Sequence, residues 1–334
     1  RSLLAGAAAG RRVVGGLVYT DGIIWVGKVQ DGRSPVLRTG GGIYSVGTVP
    51  GAILQKGVAE DPESPTARVY RIRKDYITAD LRLDAAEVFN KAVQTVTPEI
   101  IDAVRKQYER DWNEWPWQKG APFYDENGNG VMDAGETPGL EEADQVIWFA
   151  YNDLDESVSK AFYGAPSTGI ETQVTLWAYK GVPEFENVIF KRYRFIFEGA
   201  AASPLSAVID SMYVSQWTDP DAGVFSDDLG GCDSLLSLGF VFSTTNPDRA
   251  FRSYGWQNPG VGYVILQGPS VLASDSDEGL FGFKIRRGIK NLPMTSFLLN
   301  PTGDAISEPP YGTPSYWYWN VARGFFSPYP GSSI

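Results

Sequence analysis

The sequence contains no histidine. That absence removes Ser-His-Asp and Cys-His catalysis, histidine-ligated zinc or iron, and imidazole proton shuttling. Cysteine is nearly absent too. Cys232 stands alone, so neither an internal disulfide nor a cysteine-rich metal site can form. A lone cysteine fits a cytosolic protein, and equally a secreted bacterial domain large enough to fold without staples. Basic residues are in deficit: 29 Lys and Arg stand against 40 Asp and Glu, a net charge of −11. That balance disfavours nucleic acid and anionic membrane as partners. No apolar run approaches the roughly 18 residues of a membrane helix, so no membrane insertion is expected. No Asn-X-Ser/Thr acceptor with a permissive X occurs. There is neither a phosphate-cradling glycine loop between strand and helix nor a nucleophile elbow, and the expectation is that the chain is not an enzyme.

What is present points to β structure. The 334 residues suffice for one large β domain or two ordinary ones, and an aromatic content of 13% can fill a large core. Gly22 to Gly32 (GIIWVGKVQDG) is a β-branched run ending in an Asp31-Gly32 turn signal, with a return strand over Ser34 to Thr39. Further strands are expected at Ala67 to Lys74, Gln145 to Asn152, Gly169 to Lys180, Val188 to Glu198, Ala207 to Trp217 and Leu235 to Thr244. Val261 to Gln267, Leu280 to Arg286 and Ser296 to Leu299 complete the set. Ile170, Thr172, Val174, Leu176 and Ala178 alternate cleanly onto one face. Many evenly spaced strands predict an antiparallel β-sandwich of about ten or more strands.

One segment breaks this pattern. Leu81 to Thr95 has a helical period, with Leu81, Ala85, Val88, Phe89 and Ala92 on one stripe. Thr97-Pro98-Glu99 opens a second helix, with Thr as N-cap and Pro first, whose stripe is Ile100, Ile101, Val104 and Tyr108. It should stop near Trp115-Pro116. The organisation expected is an N-terminal arm over 1–16, a single β-rich domain over 17–324 with a helical insertion at 78–115, and a tail over 325–334.

Immediately after the helical hairpin comes the strongest motif in the chain. Residues 125–136, DENGNGVMDAGE, match the calcium-loop pattern D-x-[DN]-x-[DN]-G-x5-E at every position. Asp125, Asn127 and Asn129 supply side-chain oxygens, Gly130 permits the sharp turn, and Val131 offers its carbonyl. Asp133 binds directly or through water, and Glu136 closes the shell. Thr137-Pro138-Gly139 would break an exiting helix, so the loop is read as an isolated structural site and not a regulatory EF-hand. Its affinity for calcium should be on the order of 10⁻⁵ to 10⁻³ M, suited to the extracellular ion. A second acidic group, Asp219, Asp221, Asp227, Asp228 and Asp233, crowds five carboxylates into fifteen residues. It reads as a second calcium site, as catalytic carboxylates, or as a solvated loop using Asp for its turns.

Several phrases resemble a family of uncharacterised secreted proteins of Bacteroidota and Ignavibacteria-type bacteria. They are GIIWVGKVQDG at Gly22, WPWQKGAPFYDENGNGVMD at Trp115, ADQVIWFAYND at Ala143, GIETQVTLWAY at Gly169, FKRYRF at Phe190, WTDPDAGVFSDDLGGCDSLLSLGF at Trp217 and NLPMTSF at Asn291. The resemblance implies export, often by the type IX route with a C-terminal sorting tail. This sequence instead ends at Ser333-Ile334, so the expectation is that the tail was removed or that the chain is partial. The stretch Leu3 to Ala9 reads either as a signal-peptide remnant or as a mature apolar arm.

Two functional expectations follow. The first is a secreted, non-enzymatic structural protein that calcium stiffens and that assembles with copies of itself as a surface or fibre subunit. Its arm, Leu3 to Val14, or its tail, Phe325 to Ile334, would dock on a neighbour. The second is an extracellular glycan-binding module or a carboxylate-based glycosidase, with Trp112, Trp115, Trp117 and the run Tyr316-Trp317-Tyr318-Trp319 as sugar platforms.

Overall fold

The β-branched and aromatic residues of 145–152 and 170–178 form the central pair of the largest sheet. In the computed structural model, residues 17–299 and 315–325 are described, apart from 45, 253, 254 and 256. The arm 1–16 and the tail beyond Phe325 lie outside the described residues. The chain is mostly β. It opens with strands β1 (Thr20–Gln30), β2 (Leu37–Gly41), β3 (Val49–Pro50), β4 (Ile53–Gln55), β5 (Val58–Ala59) and β6 (Tyr70–Arg73). Helices α1 (Arg82–Val88) and α2 (Pro98–Asn113) follow, then β7 (Phe123–Tyr124), β8 (Thr137–Pro138) and β9 (Gln145–Asn152). Next come α3 (Glu156–Tyr163), β10 (Ile170–Ala178), β11 (Phe190–Phe197) and β12 (Val208–Asp219). The remainder holds β13 (Asp228–Asp233), β14 (Leu238–Ser243), α4 (Arg249–Arg252) and β15 (Gly260–Val264). It ends with β16 (Ser270–Leu272), β17 (Glu278–Phe281), β18 (Lys284–Arg287), β19 (Ile289–Asn291) and α5 (Ser315–Ala322).

These elements fall into two compact units, one holding residues 17–27 and 212 onward, the other 28–211. Strands β1 and β12 carry the chain from one unit to the other. In the 28–211 unit the sheet order is β11-β10-β9-β3, with β6 pairing β9 as well. Both faces of this sheet are covered. Tyr70, Ile72, Val146 and Trp148 pack with Trp115 and Ala121 on one side, and Ile147, Val174 and Leu176 pack with Tyr151 and Tyr193 on the other. The helical hairpin has its own core of Leu81, Ala85, Ala86, Val96, Val104 and Tyr108. In the 17–27/212-onward unit, β13, β14 and β15 form an antiparallel sheet, with smaller pairs β16–β19 and β17–β18.

Several sequence expectations change in the structure. The alternation in β10 does not separate a wet face from a dry one: Glu171, Gln173 and Thr175 are buried like their apolar neighbours. Distant segments help satisfy this polar row: Gln173 Nε2 donates to Glu171 (2.7 Å) and to the Lys119 carbonyl (2.6 Å), and Glu171 accepts from Ile53 N. Helix α1 stops at Val88, far short of Thr95, because Asn90 turns to positive φ; Val88 and Phe89 are consequently exposed. Leu280 to Arg286 is a hairpin and not one strand, since Gly282 and Phe283 both take positive φ between β17 and β18. Ser296 to Leu299 forms no strand and lies against glycines of β13 and β14. A Cβ at Gly230 would come 2.5 Å from Leu299, and one at Gly239 2.9 Å from Phe297. Tyr316 to Trp319 is helical, so the four rings point around the α5 axis and make no flat platform; Tyr318 is buried. Thr97 occupies the N-cap of α2 with Pro98 first, but its side chain does not cap the backbone.

Candidate metal loop and acidic cluster

Residues 125–136 are held at their base by the two-residue strands β7 and β8, which pair Phe123 with Pro138 and Tyr124 with Thr137. The Gly139 N–H closes the neck on the Pro122 carbonyl at 2.9 Å. Strands therefore stand where an EF-hand has helices. Inside the loop, acidic and amide side chains gather backbone N–H groups. Asp125 accepts from Asn129 N (3.1 Å) and Gly130 N (2.9 Å), and Glu136 accepts from Glu126 N and Asp133 N (both 2.9 Å). The carbonyl oxygens of Asn127 and Asn129 accept from Asn129 N (2.9 Å) and Val131 N (2.7 Å). Both amide nitrogens donate to one oxygen of Asp133, at 2.8 and 2.7 Å. Gly130 takes φ +76°, although a Cβ there would meet nothing within 4 Å. Backbone conformation, not space, demands glycine at this turn.

Among the described residues, no three acidic or cysteine side chains stand together as a ready-made metal cage. The donor chemistry of the loop nevertheless fits a hard cation. Apart from the Asp133 oxygen that takes both Asn amides, each carboxylate oxygen keeps lone-pair capacity beyond the N–H it accepts; half-turn rotation of the two amides would free that oxygen and turn carbonyl oxygens towards it, at the cost of the bonds from Asn129 N and Val131 N. Asp125, Asn127, Asn129, Asp133 and Glu136 would supply the side-chain oxygens and Val131 its carbonyl; the ion would supply charge and rigidity. Val131 is itself exposed.

The second acidic group is only partly brought together. Asp221 lies in the field of Asp219 and Asp228, and Asp228 in that of Asp227 and Asp248. Burial first, then these neighbours, push both carboxyls above their ordinary value of 3.8. One oxygen of Asp228 accepts from Ala222 N (2.8 Å); its other oxygen and one of Asp227 are buried without a hydrogen bond. Asp233 does not belong to the group. It sits at the far end of β13 and accepts from Leu235 N (2.9 Å) and Leu236 N (3.2 Å) as a turn residue.

Asp248 was not singled out by sequence, yet it is the fifth member. It is fully buried, accepts from Ala250 N (2.6 Å) and Val224 N (3.2 Å), and raises Asp228. Its only local signal is an Asp at the head of the short helix α4, after Asn246-Pro247. The predicted carboxylates other than Asp233 thus form a mutually repelling group with backbone donors.

Trp112, Trp115 and Trp117 lie at the end of α2 and in the turn beyond it, next to the metal loop. Trp115 is buried and donates from Nε1 to the Pro122 carbonyl (2.7 Å). Trp112 and Trp117 are half-buried and border an open cleft of about 460 Å³, whose opposite wall is Met132, Asp133 and Ala134. No protein-family model matches the chain, and neither a curated protein nor a solved structure matches it.

Proposed function

We propose that this chain is a secreted, non-enzymatic structural protein, stiffened by calcium at 125–136, that assembles with copies of itself at a bacterial surface or in a fibre. The observation that carries the reading is the open face of the β13–β14–β15 sheet. Register places Leu229 opposite Phe242 and Gly260, Gly231 opposite Phe240 and Gly262, and Leu238 opposite Val264. Strand alternation puts Leu229, Leu238, Phe240, Phe242 and Val264 on one side. The Phe240 and Phe242 rings stack at 6.3 Å, and Leu229, Phe242 and Val264 are 54%, 43% and 49% exposed. Leu272 and Ile285, in the same unit, are 90% and 69% exposed.

A contiguous apolar face of this kind marks a surface that is covered in the working state. A second copy is the occupant this reading assigns, because apart from Asp233, opposite Leu238 at one end, the face is built from neutral apolar and glycine positions that match themselves. Packing of the antiparallel sheets as a sandwich, linkage through the terminal arm or tail, and export itself belong to the same proposal.

The test is sedimentation velocity and negative-stain microscopy of the full chain in calcium, beside the double variant Leu229→Lys/Phe242→Lys. The wild-type chain should form filaments or large oligomers, and the variant should stay monomeric with an unchanged melting temperature. A wild-type chain that remains monomeric at every concentration, or a variant that assembles equally well, overturns the proposal.

A further inference from the structure

The cleft at the end of α2 has a chemistry of its own. Two half-buried indoles, Trp112 and Trp117, form its apolar surface, each braced by another ring: Tyr76 at 5.8 Å from Trp112, and Phe123 edge-on at 5.9 Å from Trp117. Asn113 and Gln118, both exposed, put amide donors and acceptors on the rim. The volume of about 460 Å³ falls in the range of small-molecule sites. Trp112 also lines a second opening of about 390 Å³ bordered by Tyr124, by the exposed Glu141 and Glu142, and by Lys74, which is paired with Asp144 (3.2 Å). The two openings therefore share one aromatic wall, and an elongated ligand suits them better than a compact one.

Charge narrows the class of ligand. No lysine or arginine lines the first cleft, so phosphates and carboxylates find no partner there. Its two carboxylates are already engaged. Glu114 is paired with Arg68 (2.9 Å) and Arg110 (3.1 Å), and Asp133 takes both Asn amides of the metal loop. A cationic ligand would need an uncommitted anion or a cage of several open aromatic faces, and Trp115 is buried. What remains is a neutral ligand with an apolar face and many hydroxyls. We propose that this cleft binds a neutral oligosaccharide, sugar faces against Trp112 and Trp117 and hydroxyls against Asn113 and Gln118. The site is independent of the assembly face, which belongs to the other unit.

The test is tryptophan fluorescence and calorimetric titration of the full chain, in calcium, with neutral oligosaccharides of glucose, xylose, mannose, galactose and N-acetylglucosamine, each beside its monosaccharide. Phosphocholine serves as the cationic comparison. At least one oligosaccharide should bind, and more tightly than its monosaccharide. Trp112→Ala and Trp117→Ala should each weaken it by about tenfold or more. Gln118→Ala, at an exposed position that leaves the melting temperature unchanged, should weaken it less. Failure of the whole panel to bind overturns the proposal. So does binding that neither Trp117→Ala nor Gln118→Ala weakens, or binding of phosphocholine in place of sugar.

Discussion

Arg38 and Asp31 expose no side-chain surface at all, and each satisfies the other: two guanidinium nitrogens reach the two carboxylate oxygens at 2.9 and 2.7 Å. Arg33 adds a third bond at 2.8 Å and Ser203 a fourth at 3.1 Å. Burial alone would raise the Asp31 carboxyl, but the hydrogen bonds from Arg38 and Arg33 hold it well below the usual carboxylate range. Removing one member leaves a buried charge without its partner. Asp31→Ala should therefore destabilise the chain by about 3–5 kcal/mol in denaturant unfolding, much more than a typical surface substitution. A loss under about 1 kcal/mol would show that water reaches Arg38 in the variant. The chain reversal after Asp31-Gly32 was legible in the sequence, because turn chemistry is local, but it runs on to Val36 and the return strand is Leu37–Gly41 instead of Ser34 to Thr39. Its buried arginine was not: seven residues on and inside a strand, Arg38 reads like any solvent-facing charge.

At the scale of elements, the tight Asn- and Gly-rich turn over 125–136 was legible because its signal is confined to twelve consecutive residues. Helix α2 was legible for the same reason, carrying its start signal and apolar stripe within itself. What escaped depended on partners far along the chain. Gln173 is buried under the 117–121 turn and Glu171 accepts from Ile53 N, and nothing near 171 announces either. Asp248 joins the acidic group only because its loop returns to residues 222–228. The loop's own chemistry sets a prediction. A cation bound only by the folded state stabilises by about 2.7 kcal/mol at one hundred times its Kd. Calcium should therefore raise the melting temperature of the wild-type chain, and Glu136→Gln should remove most of that rise; its calcium-free melting temperature should fall slightly, because Gln keeps one of the two acceptors that serve Glu126 N and Asp133 N. Equal melting temperatures of the wild-type chain in calcium and in EGTA would sink the calcium assignment.

For the whole molecule, the two units carry different electrostatic designs, and this can be read in how they melt. The 28–211 unit contains the candidate metal loop, whereas the acidic group lies in the other unit and is held by backbone donors with two carboxylate oxygens left unpaired. Because Asp228 has its folded pKa raised above the ordinary 3.8, its contribution to stability is present at low pH and is lost as pH rises through the raised value. Lowering the pH from 7 towards 3.8 should therefore raise the transition of the unit that holds it. Asp228→Asn keeps an acceptor for the Ala222 N–H and removes the repelled charge, so at neutral pH it should melt higher than wild type and lose the gain on acidification. Scanning calorimetry should show calcium shifting one transition and Asp228→Asn the other. If the acidic group instead held a second calcium ion, Asp228→Asn would lower the melting temperature in calcium, because removing a ligand charge weakens a site that like-charge relief would strengthen. The sign of that single shift separates a metal site from a strained carboxylate cluster.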